Sequence, residues 1–190
     1  MRFRLSCTII DIEAHHKKDA RYKAGAAQTW VVKRTVRMSD KELEKEIDET
    51  LKAAGLDLLE FSVSRHRGSL HVKAVIYGKD GTGTDECTKA YRLILPRVQM
   101  QLGVQDPYIE VYSPGIDRII RSAREWQIFT DRGILFLTAD SPDWRRGRIA
   151  HFGNGIAQIE TDGAVSDIPI ASILKAKLDS SYEGENAHGI

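Results

Sequence analysis

The stretch Ile109-Glu-Val-Tyr-Ser-Pro-Gly-Ile-Asp-Arg-Ile-Ile120 divides the chain. Its first half alternates apolar and polar residues, the pattern of a strand with one buried face. Ser113-Pro114-Gly115 then stops the strand. Pro114 lacks an N–H, fixes its own φ and drives Ser113 into an extended conformation. Pro followed by Gly suits the centre of a type II turn, which needs positive φ at its second central position. Asp117 and Arg118 come next, so a strand ends in a fixed turn that presents two opposite charges. The chain before this turn reads as mixed α/β and the chain after it as all-β, which makes the turn the junction of two domains.

Upstream of the junction, Ser39 to Glu42 is a Ser-x-x-Glu capping box, worth about 1 kcal/mol. Leu43, Ile47, Leu51 and Ala54 recur at helical spacing, and Gly55 fits the position just past a helix end. Leu59, Phe61 and Val63 alternate with polar residues as a first strand. Leu70, Val72, Ala74 and Ile76 form a second, and the short Arg65–Ser69 turn between them implies an antiparallel hairpin. A glycine-rich loop, Gly78-Lys-Asp-Gly-Thr-Gly-Thr84, comes next. It is not a Walker loop, because Lys79 precedes the last glycine instead of coming after it. Gly78-Lys-Asp-Gly81 matches the GxxG clamp of KH domains, but that clamp joins two helices and this loop joins a strand to a helix. It reads as a connection that ends in Thr84 as N-cap. Cys87, Tyr91, Ile94, Val98 and Leu102 form a helical stripe. Pro96 interrupts it at about 3 kcal/mol, while burial of each large apolar side chain returns about 1.5–3 kcal/mol. Gly103 ends that helix, and Tyr108 to Tyr112 is the third strand. The expected packing sets two helices on one face of a three-stranded sheet.

Downstream, Ala123 to Phe129 reads as a short helix carrying Trp126 and Phe129. Short β-rich segments come after it at Ile134–Thr138, Arg146–Phe152, Gly155–Thr161 and Ala164–Ile168. Asn154-Gly155 and Asp162-Gly163 are two-residue hairpin signals of type I′. Pro169 to Ser172 suits one 3₁₀ turn before a last strand, Ile173 to Leu178. Five short strands with tight turns imply a small SH3-like or Sm-like barrel. Asp179 to Ile190 is polar and is expected to be disordered.

Charge is unevenly spread. Met1 to Arg37 holds nine Lys/Arg and three Asp/Glu, and the remaining residues hold 19 basic and 24 acidic. The body is therefore acidic and only its leader is basic. An acidic body is repelled at long range by a phosphate backbone and attracted to basic proteins. Within the leader, the tandem His15-His16 has no third ligand at sensible spacing and reads as solvated. Met38 directly precedes a well-formed helix start, so the expectation is that residues 1–37 are an extension from an upstream start and lie outside the working protein. Two cysteines, Cys7 and Cys87, have no CxxC partner; a disulfide framework is not supported, and a reduced, cytoplasmic protein fits. No apolar run approaches the ~20 residues of a membrane span.

A strand ending in Ser113-Pro114-Gly115, then an apolar residue, Asp117 and Arg118, resembles the signature of the ribosome maturation factor RimP family. The resemblance spans roughly Ser39 to Leu178 and includes an acidic loop with Asp-Cys, matched by Asp85-Glu86-Cys87. Two departures stand out. Tyr112 replaces a second Ser, and Ile119 replaces the Pro after Asp-Arg, which loosens the linker. The resemblance implies residues 38–116 as an α+β, KH-like α-β-β-α-β domain, and residues 117–178 as an SH3-like barrel. It also implies a factor that binds the immature small (30S) ribosomal subunit and assists its assembly through a basic ribosomal protein of the decoding centre. Ribosomal RNA is a further expected contact; no membrane is involved, and a monomer is expected.

Candidate binding residues are Ser113, Pro114, Gly115, Asp117 and Arg118 at the junction, with Trp144, Arg145, Arg146 and Arg148 beyond it. Arg suits bidentate and stacked contacts, and Trp beside Arg is typical of interface hot spots. The competing reading of Trp144–Arg148 is a solvated loop with strand-end charges. No Gly-x-Ser-x-Gly, HExxH or acid pair with a phosphate loop is present, so no enzyme, cofactor or metal site is expected. Cys87 reads as a small buried residue rather than a nucleophile. The alternative function is a general RNA-binding module built on an Sm-like barrel.

Overall fold

The computed structural model describes residues 39–66 and 69–182. The expectations for residues 1–37, for His15-His16 and for residues 183–190 lie outside them. The described residues divide after Ser113 into two compact units. Their composition is mixed α+β.

The first unit opens with α1 (Asp40–Ala53). Its capping box is reciprocal: Ser39 Oγ accepts from the Glu42 N–H at 3.3 Å, and Glu42 Oε2 accepts from the Ser39 N–H at 2.7 Å. Leu43, Ile47 and Leu51 are fully buried, and Gly55 takes the left-handed conformation at φ +80°. Next come β1 (Leu56–His66), β2 (Ser69–Gly78), α2 (Thr84–Leu102) and β3 (Tyr108–Tyr112). The sheet order is β1-β2-β3, with β1 and β2 antiparallel and β2 and β3 parallel. One apolar core joins α1, α2 and a single face of the sheet, through Leu43, Ile47, Leu56, Leu58, Val72, Ile76, Ile94 and Val98 among others. At about 1.5–3 kcal/mol per buried side chain, this core carries α2 through Pro96 without a break.

Two local readings change. In β1 the buried residues are Leu56 and Leu58, and Leu59 is not among the core residues. A register shift between Leu58 and Glu60 explains this. One extra residue flips the alternation, so that Leu58 before the bulge and Phe61 and Val63 after it share the core face. The N-cap of α2 is Gly83 rather than Thr84. The Gly83 N–H donates to Glu86 Oε2 at 2.8 Å, and Thr82 Oγ1 ties the loop by accepting from the Gly78 N–H at 2.9 Å. Cys87 is buried, at 8% exposure.

The second unit contains α3 (Ala123–Ile128), β4 (Gly133–Thr138), β5 (Ser141–Gly153), β6 (Ile156–Thr161), β7 (Ala164–Pro169) and β8 (Ile173–Leu178). A 3₁₀ turn over Ile170–Ser172 joins β7 to β8, where the sequence places it. Asn154-Gly155 and Asp162-Gly163 all have positive φ, as type I′ hairpins demand. The strand order is β7-β6-β5-β4-β8. The pairing does not close into a barrel: β7 and β8 are the outermost strands of an open sheet. Pro169, without an N–H, ends β7, and the 3₁₀ turn carries the chain onward without pairing the two. Trp126, Phe129, Ile134, Phe136, Ile149, Phe152 and Ile159 are buried, and Trp126 stacks on Phe152 at 6.3 Å between ring centroids.

Strand β5 is longer than its apolar pattern suggests. Trp144 to Arg148 belong to it rather than to a loop, because the β4–β5 connection is only Ala139-Asp140 and Ser141-Pro142 already start the strand. After β8, Asp179 to Tyr182 also pack onto the sheet, at the start of the segment expected to be disordered. Asp179 is 8% exposed, its N–H donates to Gly133 O at 2.9 Å, and a side chain at Gly133 would collide with Tyr182.

Candidate functional site

The turn after β3 places a positive φ at Gly115 (+79°), as Pro-Gly requires. Beyond it the chain pairs with the outer side of β8. The Leu178 N–H donates to Arg118 O and the Ile120 N–H to Ala176 O, both at 2.9 Å, and Ile119 bridges Lys177. This fixes which way Asp117, Arg118 and Ile119 point.

Arg118 points inward. Its Nη2 lies 2.7 Å from Glu125 Oε1, and the two side chains are 8% and 6% exposed. Glu125 is the third residue of α3, whose N-cap is Ser122, and its second oxygen accepts from the Arg121 N–H at 2.9 Å. The pair thus locks the junction segment to the start of α3. Arg118, a candidate surface residue on sequence grounds, is a buried structural group.

The arginines of β5 also have internal partners. Alternation sends Arg145 to the inner side, where its guanidinium sits 4.8 Å from the Phe136 ring centroid and donates to Thr138 Oγ1. Arg146 pairs with Asp179 at 2.8 Å and donates to Ser181 Oγ at 3.0 Å. Arg148 pairs with Glu160 and reaches Asp131 at 3.6 Å. The Glu160 hydrogen bond, more than the charges around it, raises the Arg148 pKa above its ordinary value. Asp179 shifts the other way. Burial alone would raise its pKa, but hydrogen bonds from Ser181 and the Arg146 charge outweigh that and hold the carboxyl below the usual range.

Two candidate residues do meet. Asp117 (side chain 72% exposed) and Trp144 (44% exposed) line one open groove of ≈ 510 Å³, with Ile119, Leu135, Lys175 and Lys177. The strand register builds it. Arg146, Leu135, Lys177 and Ile119 form one cross-strand row, and Leu137 pairs with Lys175 in the next. Lys175 Nζ lies 5.9 Å from the Trp144 ring centroid, and Lys177 pairs with Asp117 at 3.7 Å. A cation over an exposed indole contributes about 0.5–1 kcal/mol and biases the ring's orientation. The groove therefore offers an oriented aromatic, two aliphatic walls and a charged rim. Ser113 closes the first unit; Pro114 and Gly115 shape the turn and are absent from the groove lining. Sequence reading missed Leu135, Lys175 and Lys177 as site residues. The signal available was Lys-x-Lys in the last strand, whose period of two places both lysines on one face.

No group of three or more His, Cys, Asp or Glu among the described residues could hold a metal ion, and none of their helices is long and apolar enough to cross a membrane. No family model matches the chain. Curated relatives do. The chain is 29% identical over 124 residues to the ribosome maturation factor RimP of Borrelia hermsii, covering 65% of this chain and 85% of that protein. It is 27% identical over 124 residues to the RimP of Borrelia garinii subsp. bavariensis, covering 65% of this chain and 83% of that protein. These relatives bear out the resemblance to the RimP family that the Ser113–Arg118 signature carries.

Proposed function

We propose that this chain is a ribosome maturation factor that binds the immature small (30S) ribosomal subunit in the cytoplasm and assists its assembly, acting as a monomer and not as an enzyme. The observation that carries the proposal is the likeness to two RimP proteins over more than four-fifths of their length. In this reading the first unit is KH-like and the second SH3-like. The α-β-β-α-β order and the 3₁₀ turn before the last strand support those assignments. The partner is a basic ribosomal protein of the decoding centre. The acidic excess outside the leader supplies long-range attraction, and the Trp144 groove supplies the anchor. Asp117, exposed on the groove rim, offers the partner a carboxylate.

A general RNA-binding module with an Sm-like barrel draws its support from the arginine cluster. That support weakens here, because Arg145, Arg146 and Arg148 all have partners within their own unit.

The test is co-sedimentation with immature small subunits at two salt concentrations, for the parent and for Trp144→Ala. The indole is partly exposed, so the variant should fold within about 0.5 kcal/mol of the parent. It should bind more weakly by over about 1 kcal/mol if the indole anchors the contact. Failure of the parent to sediment with the subunits would sink the proposal. Unchanged sedimentation of the variant would remove the groove from the contact.

A further inference from the structure

The sheet of the first unit covers its helices with one face and has a second face that the proposed function does not use. Near the β1–β2 hairpin, that face is built from alternate residues of adjacent strands. The register sets His71 beside Tyr108, Lys73 beside Glu110 and Ser62, and Ser64 beside His71. Tyr108 and Tyr112, four residues apart on one strand, stand on the same face as Glu110. The His71 and Tyr108 rings are 5.0 Å apart at 50°, and Lys73 Nζ lies 5.1 Å from the Tyr112 centroid. Glu110 Oε1 accepts from the Tyr112 hydroxyl at 2.8 Å and, at 3.5 Å, from that of Tyr108. Tyr108 is 43% exposed, and Lys73, Ser62 and Ser64 are exposed.

We infer that this face is a stacking platform for single-stranded RNA. Two tyrosines and a histidine on a pleated sheet offer π-faces for unpaired bases, which is how sheet-based RNA modules hold them. Lys73 provides a cation beside the rings for phosphates. The Tyr112 hydroxyl bond to Glu110 restrains that ring, and Lys73, beside Glu110 in the register, offsets the carboxylate's charge. A hydroxyl-held ring loses little freedom when a base stacks on it. The inference concerns the first unit alone and stands or falls separately from the groove.

The experiment is photo-crosslinking of the full chain to a short unstructured RNA carrying 4-thiouridine, with peptide mapping, beside anisotropy titrations of the same RNA. Crosslinks should map to the β3 peptide that holds Tyr108 and Tyr112. Tyr108→Ala should weaken binding by about tenfold, the loss expected for one unstacked base. Tyr108→Phe should stay within about twofold of the parent, since the π-face remains. Lys73→Ala should flatten the salt dependence, and the exposed-surface control Val165→Ser should match the parent. Crosslinks confined to other segments would overturn the inference. So would a Tyr108→Ala protein that binds like the parent, the result expected if the basic leader alone holds RNA or if the platform instead contacts protein.

Discussion

Arg118→Ala should damage the second unit although it deletes a residue whose type belongs on surfaces. The guanidinium and the Glu125 carboxylate are 8% and 6% exposed and 2.7 Å apart. Removing one partner of such a pair leaves the other charge buried, at about 3–5 kcal/mol. Glu125 keeps its bond from the Arg121 N–H and its place at a helix start, so the low end, about 3 kcal/mol, is expected. Against a typical net stability of about 5–15 kcal/mol, that is a large loss. The double variant Arg118→Ala, Glu125→Gln removes the stranded charge and keeps an acceptor for the Arg121 N–H. It should recover about half of the loss. The assay is urea unfolding in a Trp30→Phe, Trp144→Phe background, where Trp126, 4% exposed on the same helix, is the lone indole reporter. A midpoint for Arg118→Ala within about 1 kcal/mol of the parent, with no gain from Glu125→Gln, would refute the assignment of this pair as buried and stabilising.

Other outcomes can be checked alongside. Gly147→Ala would set its methyl 2.6 Å from Ile159 Cγ2 and 2.8 Å from Glu160 O, so it should cost about 1–3 kcal/mol in the same unfolding assay. Asp179 has a depressed pKa, so its contribution is present above its unfolded value of ~3.9 and fades as pH falls through the lower folded value. The amide resonances of Gly133 and Tyr182 should therefore shift together below about pH 4, and Asp179→Asn should abolish that step. Met38 to Ser113 and Pro114 to Ile190, expressed separately, should each give dispersed amide spectra; two collapsed spectra would mean one shared core.

Local signals carry much of the fold. Ser39 and Glu42 mark a helix start because a capping box is closed within four residues, and the Asn-Gly and Asp-Gly pairs mark their hairpins because only residues tolerant of positive φ fit there. The face of β1 is not legible in the same way, because a bulge at Leu58 to Glu60 depends on how β2 pairs with it, which no window along the chain displays. The apolar pattern starts the fifth strand only at Arg146, yet that strand begins at Ser141, because at the start of a strand Pro142 costs no ladder bond that matters. The site is half legible. Asp117 and Trp144 draw attention by type and context, whereas Leu135 and the two lysines gain their meaning only from cross-strand register. Arg118 reads as exposed because its partner Glu125 lies in a later element, and nothing in either residue's neighbours announces the pairing.

The segment Arg118 to Ile120, zipped along β8, has a colloidal consequence. A strand with unpaired N–H and C=O groups is a template for other chains, and proteins blunt such borders with charge, Pro or a covering segment. At β7 the border is blunted by Asp167 and Pro169. At β8 it is covered by the junction itself. A second-unit fragment cut at Arg121 would keep all five strands and still expose the β8 border, and it should precipitate where a fragment starting at Pro114 stays dispersed. The turn that separates the two halves of the chain also keeps one of them from sticking to its copies.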